Sequence, residues 1–351
     1  MLATETEKLH LEELYKERTP YYGELHDHGA TGGTSDGKRS LEHWKGAMEA
    51  LHMDFAAILD HRQVRHMYLP EWEDGLFIGG SEPGTAILDS TAEKPNVHYN
   101  MVFTGPAPLE QLLAEFEEYE FTGGPEGHFV YPRFTRERFG QLIDRVKELG
   151  GFFVHPHPKQ LMQSEDPTQY WFRDETGIEV FYESMDSQAT ADNYQLWTDL
   201  LACGKRVWAC AGGDGHACAS DQALTTIYAE DHANAAYLPH LREGDFVCGP
   251  VGIRMCMGST KMGGTRSFTG EKLLFSVGDF HVSVKNPEHT YRVDVLDDTG
   301  VVYSEAIDCN ETQYFALETK PCKFYRVEVF DTTRNLRIAI GNPIWNRDRI
   351  E

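Results

Sequence analysis

The residues of this chain that could do chemistry are histidines and carboxylates, and they fall where short apolar runs stop. His26 and His28 close the segment Gly23-Glu24-Leu25-His26-Asp27-His28. On a strand, side chains two apart share a face, so both imidazoles aim at one point while Leu25 turns the other way. Asp60-His61 follows Phe55-Ala56-Ala57-Ile58-Leu59, and Glu82 follows Leu76 to Gly80. His98 opens His98-Tyr99-Asn100-Met101-Val102-Phe103, His155 ends Phe152-Phe153-Val154, and Asp214 and His216 follow Val207 to Ala211. Imidazole mixed with carboxylate suits Zn, Mn and Fe. Singly, each has a duller reading: a solvated acid, a helix cap, a turn residue. Repeated strand after strand, they predict one cleft lined with metal ligands.

The elements that must place these groups alternate in period. Leu41, Trp44, Met48 and Leu51 mark a helix before the strand at 55–59. Phe139, Leu142, Val146 and Leu149 mark another, which Gly150-Gly151 ends. A helix around Tyr194 to Leu201 separates Ile178-Glu179-Val180-Phe181 from Val207 to Ala211. Such alternation from Leu25 to about Val247 predicts an α/β fold of parallel β-α units, closed into a barrel, with functional groups at the carboxyl ends of the strands. Beyond Gly249-Pro250 the period becomes two, in Tyr291 to Val295, Val301 to Tyr303, Phe324 to Val329 and Leu336 to Ile340. That pattern predicts a small antiparallel β-sandwich. The expected division is a catalytic unit over 1–250 and an accessory domain over 251–351.

At 351 residues, with 40% hydrophobic, the chain can bury a sizeable core. No apolar run approaches the ~20 residues of a membrane span, and Met1 to Arg18 lacks a signal-peptide apolar stretch, so a soluble cytoplasmic protein is expected. Seven cysteines with no Cys-x-x-Cys pair predict buried free thiols. Nearly all of the net charge of −24 falls in residues 1–250. This acidity predicts a small-molecule partner and no binding of a nucleic-acid backbone or a membrane.

The order and wording of the motifs resemble the PHP superfamily, the polymerase and histidinol phosphatase group of metal-dependent phosphoesterases. The matching pieces are Leu25-His26-Asp27-His28, Ser35-Asp36-Gly37, Asp60-His61, Gly80-Ser81-Glu82, His98, His155-Pro156 and Gly213-Asp214-Gly215-His216. Two details depart from the family's pattern: Glu24 stands where Asp is usual, and the gap from His28 to Asp36 is longer. The resemblance covers roughly residues 20 to 250 and implies a distorted (β/α)7 barrel with two or three divalent ions at its mouth. It also implies that His26, His28 and Asp214 hold a first ion. Glu82 would bridge to a second held by His98 and His155, and Asp36, His61 and His216 would hold a third. His155-Pro156-His157-Pro158 offers two histidines; His155 is favoured because it directly follows the apolar strand.

Three divalent ions bring about +6 against Asp36, Glu82 and Asp214, leaving about +3, enough to hold a phosphate dianion in a partly desolvated cleft. A metal-bound hydroxide is the expected nucleophile, since the pKa of bound water falls to about 7. His157 and His66 are candidate acids for the leaving group, and Arg62, Arg65 and Lys159 are candidates for holding the substrate anion. The expected function is therefore hydrolysis of a small-molecule phosphoester by a phosphatase or phosphodiesterase. A carboxylic or carbamate ester hydrolase would use the same ions on a carbonyl. A third reading makes the ions structural and gives Tyr291, Tyr303, Tyr314, Phe324 and Tyr325 to a carbohydrate- or protein-binding platform.

Overall fold

The computed structural model describes residues 1–91, 96–158 and 172–350. Seven short strands stand side by side in chain order: β1 (Thr19–Asp27), β2 (Phe55–Ile58), β3 (Phe77–Ser81), β4 (Asn100–Phe103), β5 (Phe152–His155), β6 (Gly177–Tyr182) and β7 (Trp208–Gly212). β1, β2 and β3 are mutually parallel, as are β5, β6 and β7. β4 runs antiparallel to both its neighbours. The two outer strands meet again, because Asp27 bridges Gly215 just past β7 and the His28 N–H donates to the Gly215 carbonyl at 2.8 Å.

The reversed β4 departs from a uniformly parallel β-α repeat, and the reason is local. A parallel return needs a crossover, usually helical, whereas the described residues of the connection from β3 to β4 hold no helix, just the short strands Gly84–Ile87 and Asn96–His98, paired with each other. The expected single strand from His98 to Phe103 is thereby cut at Tyr99.

Helices pack on this row through the apolar stripes the spacing predicts. α1 spans Glu5–Tyr15, α2 Leu41–Ala50, α3 Pro106–Glu115, α4 Arg136–Glu148, α5 Gln188–Ala202 and α6 Asn234–Glu243. α2 buries Leu41, Trp44 and Met48, and the Ser40 side chain caps it by accepting from the His43 N–H. α4 buries Phe139, Leu142, Ile143 and Val146, and Thr135 caps it in the same way. Gly150, at φ +82°, turns the chain out of α4 in the left-handed conformation that glycine tolerates best.

The sheet does not stop at residue 250. β8 (Thr225–Ala229) lies antiparallel on β1, and β9 (Phe246–Cys248) lies antiparallel on β8. Of the later strands, β10 is Val251–Met257, β11 Lys272–Phe280, β12 Tyr291–Asp297, β13 Gly300–Ile307, β14 Gln313–Glu318, β15 Phe324–Asp331 and β16 Leu336–Gly341. β9 pairs with β16, so the first sheet continues through β16, β15, β12 and β13, all antiparallel. β10, β11 and β14 make a second antiparallel sheet. Ile253, Phe275 and Phe315 of the second sheet share one apolar core with Val293, Val327 and Ile338 of the first. α1 closes the arrangement from the other end of the chain: Leu11 and Tyr15 pack with Tyr228, Cys256, Leu274 and Ala316.

All seven cysteines are unpaired, and five of them are buried. Among the described residues no helix is long and apolar enough to cross a membrane.

Candidate metal centre

The carboxyl ends of the strands bring the histidines and acids together around one buried carboxylate, Glu82. β1 delivers His26 and His28, and Glu82 stands just past β3, its N–H donating to the Leu59 carbonyl at 2.9 Å. His26 Nε2 and His28 Nε2 each lie 3.2 Å from Glu82 Oε2. They lie 3.5 and 3.1 Å from Asp214 Oδ1. On the other side, His98 Nδ1 and His157 Nε2 are 2.8 and 3.1 Å from Glu82 Oε1. A third group joins His28 to Asp36, His61 and His216, with Asp36 Oδ1 at 3.5 Å from His61 Nε2 and 3.1 Å from His216 Nε2. In each group one ligand atom per residue lies within 4.8 Å of all the others.

These donors fit divalent ions on two counts. Two ligand atoms each ~2.0–2.1 Å from one ion are themselves ~3.0–3.4 Å apart, close to the spacing found here. His26 Nε2 and Glu82 Oε2 are also buried with no hydrogen-bond partner among the described residues, although buried polar atoms normally have one.

Several of the rings are turned by partners behind them. His26 Nδ1 is 3.0 Å from Glu179 Oε1, His61 Nδ1 is 2.9 Å from the Glu82 carbonyl, and His216 Nδ1 is 2.7 Å from the Asp214 carbonyl. Each oxygen takes the Nδ1 proton and leaves the Nε2 lone pair facing the centre, the usual outer-shell device of metal-binding histidines. The other Glu179 oxygen accepts the His157 N–H at 2.7 Å, so one carboxylate braces two of the groups. The Tyr182 hydroxyl donates to Asp214 Oδ2 at 3.0 Å. Gly213 and Gly215 let the chain pass close by: a Cβ on them would lie 2.1 Å from Glu24 Oε1 and 2.5 Å from Asp27 Oδ1.

Without ions the cluster balances charge by holding protons. Burial alone would raise the Glu82 carboxyl, but the surrounding imidazoles of His26, His157 and His28 hold it well below the carboxylate range. Burial would lower His28, yet its hydrogen bond to Asp214 and the nearby Glu82 carboxylate carry it up to about 9. His26 rises too, its burial outweighed by Glu82 and Glu179. Exposure is graded across the site. The side chains of His26, His28 and Glu82 are fully buried, whereas His98 is 36% and Asp36 58% exposed.

The structure corrects one expected ligand. His155 lies apart from the cluster, its ring 5.0 Å from Phe153 and 4.6 Å from Phe172, and burial pushes it down to about 3. The cause is strand alternation: His155 shares a face of β5 with Phe153, and that face belongs to the core. His157, at φ +29° after Pro156, is the residue turned into the cluster, as a member of the ligand group rather than a free acid.

The other candidates fare unevenly. His66 is fully buried beside Trp72, with Nδ1 3.4 Å from Asp60 Oδ2, so it is shut away from any substrate and does not serve as the acid. Asp60 accepts from the Gly29 N–H at 2.7 Å and from the Thr31 hydroxyl, and caps no helix. Arg65 turns toward Glu126 at 3.9 Å. Arg62 adopts φ +55°, and its carbonyl accepts from the Phe129 N–H. Lys159 lies outside the described residues. Of the five aromatic residues considered as a platform, Tyr291, Phe324 and Tyr325 are buried. Glu179 and Tyr182 were not anticipated as site residues, although a lone acid inside Ile178-Glu179-Val180-Phe181 was a usable signal.

No protein-family model matches the chain, and no curated protein matches it in sequence. Among solved structures it is similar to a two-domain protein from Bacteroides vulgatus containing a predicted PHP-like metal-dependent phosphoesterase. That match has 14% identity and a TM-score of 0.42, over 94% of this chain and 96% of the other. It is also similar to endonuclease Q in complex with a 27-mer duplex substrate carrying an abasic lesion, at 11% identity and a TM-score of 0.42. A lesion-specific endonuclease from Pyrococcus furiosus matches at 10% identity and a TM-score of 0.42. This chain spans 57% and 56% of those two endonuclease chains.

The expectation, read from net charge, of a small-molecule partner with nucleic acid excluded is corrected: two of the solved structures the chain is similar to are endonucleases, one of them bound to a duplex substrate. Net charge describes the whole surface, whereas a phosphate responds to the local field of the site it enters. The order of its ligand motifs resembles that of the PHP superfamily, and one of the solved structures it is similar to contains a predicted PHP-like metal-dependent phosphoesterase.

Proposed function

We propose that this protein is a metal-dependent phosphoesterase, with residues 1–250 as its catalytic unit and 251–351 as an accessory β unit. The observation that supports this best is the convergence of three ligand groups, two of which share the buried Glu82 and two of which share His28, with Glu82 Oε2 and His26 Nε2 left without hydrogen-bond partners among the described residues. His26, His28 and Asp214 would hold one ion, His98 and His157 a second across Glu82, and Asp36, His61 and His216 a third with His28 beside them. When bound, such ions supply an activated water at neutral pH and positive charge for the phosphoryl oxygens. The chain's own part is orientation. Glu179 fixes the His26 ring and the His157 backbone, while Tyr182 fixes Asp214. The half-open rim at Asp36, His98 and His216 is where a substrate enters, and the fully buried wall behind it keeps bulk water from the ligand atoms.

The test is hydrolysis of p-nitrophenyl phosphate and bis-p-nitrophenyl phosphate by protein loaded with Zn, Mn or Fe, beside p-nitrophenyl acetate and a duplex bearing an abasic site. Metal-dependent release from a phosphoester, abolished by chelation and restored by the ion, is expected. Turnover of the acetate alone, or no metal-dependent turnover of any phosphoester, would contradict the proposal.

A further inference from the structure

At the opposite ends of the strands from the ligand cluster lies a second cleft, of about 560 Å³. Arg18 precedes β1 and Trp208 begins β7, so the cleft and the centre past Gly212 are separated by about the length of β7, ~13 Å at ~3.3 Å per residue. Lys147 from α4, Arg242 from α6, and Lys261 and Met262 from the turn after β10 complete its wall.

Its cations are not equally occupied. Arg18 pairs with Asp245 at 2.5 Å and Glu230 at 3.0 Å, and Lys147 pairs with Glu175 at 3.1 Å. Lys261, half-buried, makes no ion pair among the described residues, and its ammonium sits 5.4 Å from the centre of the Tyr15 ring. Arg242 donates to the Lys147 carbonyl at 3.3 Å and likewise makes no ion pair among the described residues. Burial and the neighbouring Arg18 hold the Lys261 amine below its ordinary value, against the pull of Asp245, Glu230 and Glu243. Four cations, Arg18, Lys147, Arg242 and Lys261, line the cleft against three carboxylates, Glu175, Glu243 and Asp245, so in a chain of net charge −24 it carries a small local excess of positive charge that favours an anion. Trp208, Met262 and Pro239 add apolar atoms to the lining. The wall is also preset: Gly263, at φ +75°, lies so close to α6 that a Cβ on it would be 2.2 Å from the Glu243 carbonyl oxygen.

We infer that this cleft binds a small organic anion, its carboxylate or phosphate held by Lys261 and Arg242 and its body resting on Met262, Pro239 and Trp208. The cleft's size is that of an ordinary small-molecule site.

Calorimetric titration of the full metal-loaded chain with succinate and with phenyl phosphate, at constant ionic strength, tests this and separates the two headgroups. At least one anion should bind saturably, and Lys261→Met and Arg242→Ala should each weaken that binding by about tenfold or more. The binding should persist in Glu82→Gln, which sets it apart from the metal centre. Binding of neither anion, or binding that survives both cleft substitutions, overturns the inference.

Discussion

Glu82 and Glu328 are both fully buried carboxylates, yet their surroundings are built for different ends. Glu328, on β15, accepts from Arg326 Nε at 2.8 Å, Arg337 Nε at 2.7 Å and the Tyr194 hydroxyl at 2.8 Å. The guanidinium of Arg337 lies over the Tyr194 ring at 3.6 Å and that of Arg326 over Trp197 at 4.9 Å. Permanent cations thus saturate Glu328, and the network ties β15 and β16 to α5. Glu82 has only imidazoles around it, groups that can offer either a proton or a lone pair, and one of its oxygens is left without a hydrogen bond. A closed network stabilises the fold; an open one awaits a ligand.

The sharpest way to break this contrast is to neutralise each carboxylate in turn. Glu82→Gln should remove bound metal and lower phosphoester turnover by at least about a thousandfold, about 4 kcal/mol of barrier, with the melting temperature kept or raised. Metal content and initial rates on the same preparation check it. Glu328→Gln should do the reverse. It leaves the buried Arg326 and the part-exposed Arg337 short of an anion and should cost about 3 kcal/mol of folding stability in denaturant titration, with metal content unchanged. A loss of metal in this second variant would mean the two regions are not distinct.

A smaller effect sharpens the picture of the open cluster. Glu179 touches the ligand residues rather than the ion positions, so Glu179→Gln should weaken metal affinity by about 10–100-fold without abolishing binding. Competition with a chromophoric chelator measures it. The same titration repeated across pH reads the protons. His28, raised to about 9 in the metal-free protein, is protonated at neutral pH, so an entering ion must displace that proton. Affinity should therefore climb with pH and level off near 9, and a flat profile would show that the imidazoles are not ligands. Metal-free stability has the opposite sign. The part of it that His28 contributes is complete below the ordinary histidine value of about 6.5 and is lost as pH rises through about 9. The smallest effect is expected at His155, where Phe suits the Phe153 and Phe172 environment. His155→Phe should change stability by less than about 1.5 kcal/mol and leave metal content intact, whereas His157→Ala should lower metal content.

Much of this centre was legible because metal ligands must be polar at places where a chain of this kind is otherwise apolar. His26, His28, Glu82 and Asp214 stand out against the strands they follow, and the structure brings them together. Period two also held the clue that separates His155 from His157, since Phe153 already marks the core face. What composition and period could not carry was direction and distant pairing. Nothing in Asn100 to Phe103 states that β4 runs backwards; that follows from a connection that holds no helix among the described residues. Nor does any local pattern announce that Val247 pairs with Gly341, or that α1 packs against Tyr228 and Leu274. Those contacts are set by the collapse of the whole chain. The exclusion of nucleic acid, read from the net charge, failed for the same reason, as a sum over residues hides where the field is local.

The most direct measurement is metal analysis of protein purified from metal-replete medium, combined with anomalous scattering at each metal's absorption edge. At least two divalent ions should appear, both in contact with Glu82 and flanked by His26, His28, Asp214, His98 and His157. Ordered protein with no ion within bonding distance of Glu82 would contradict the account.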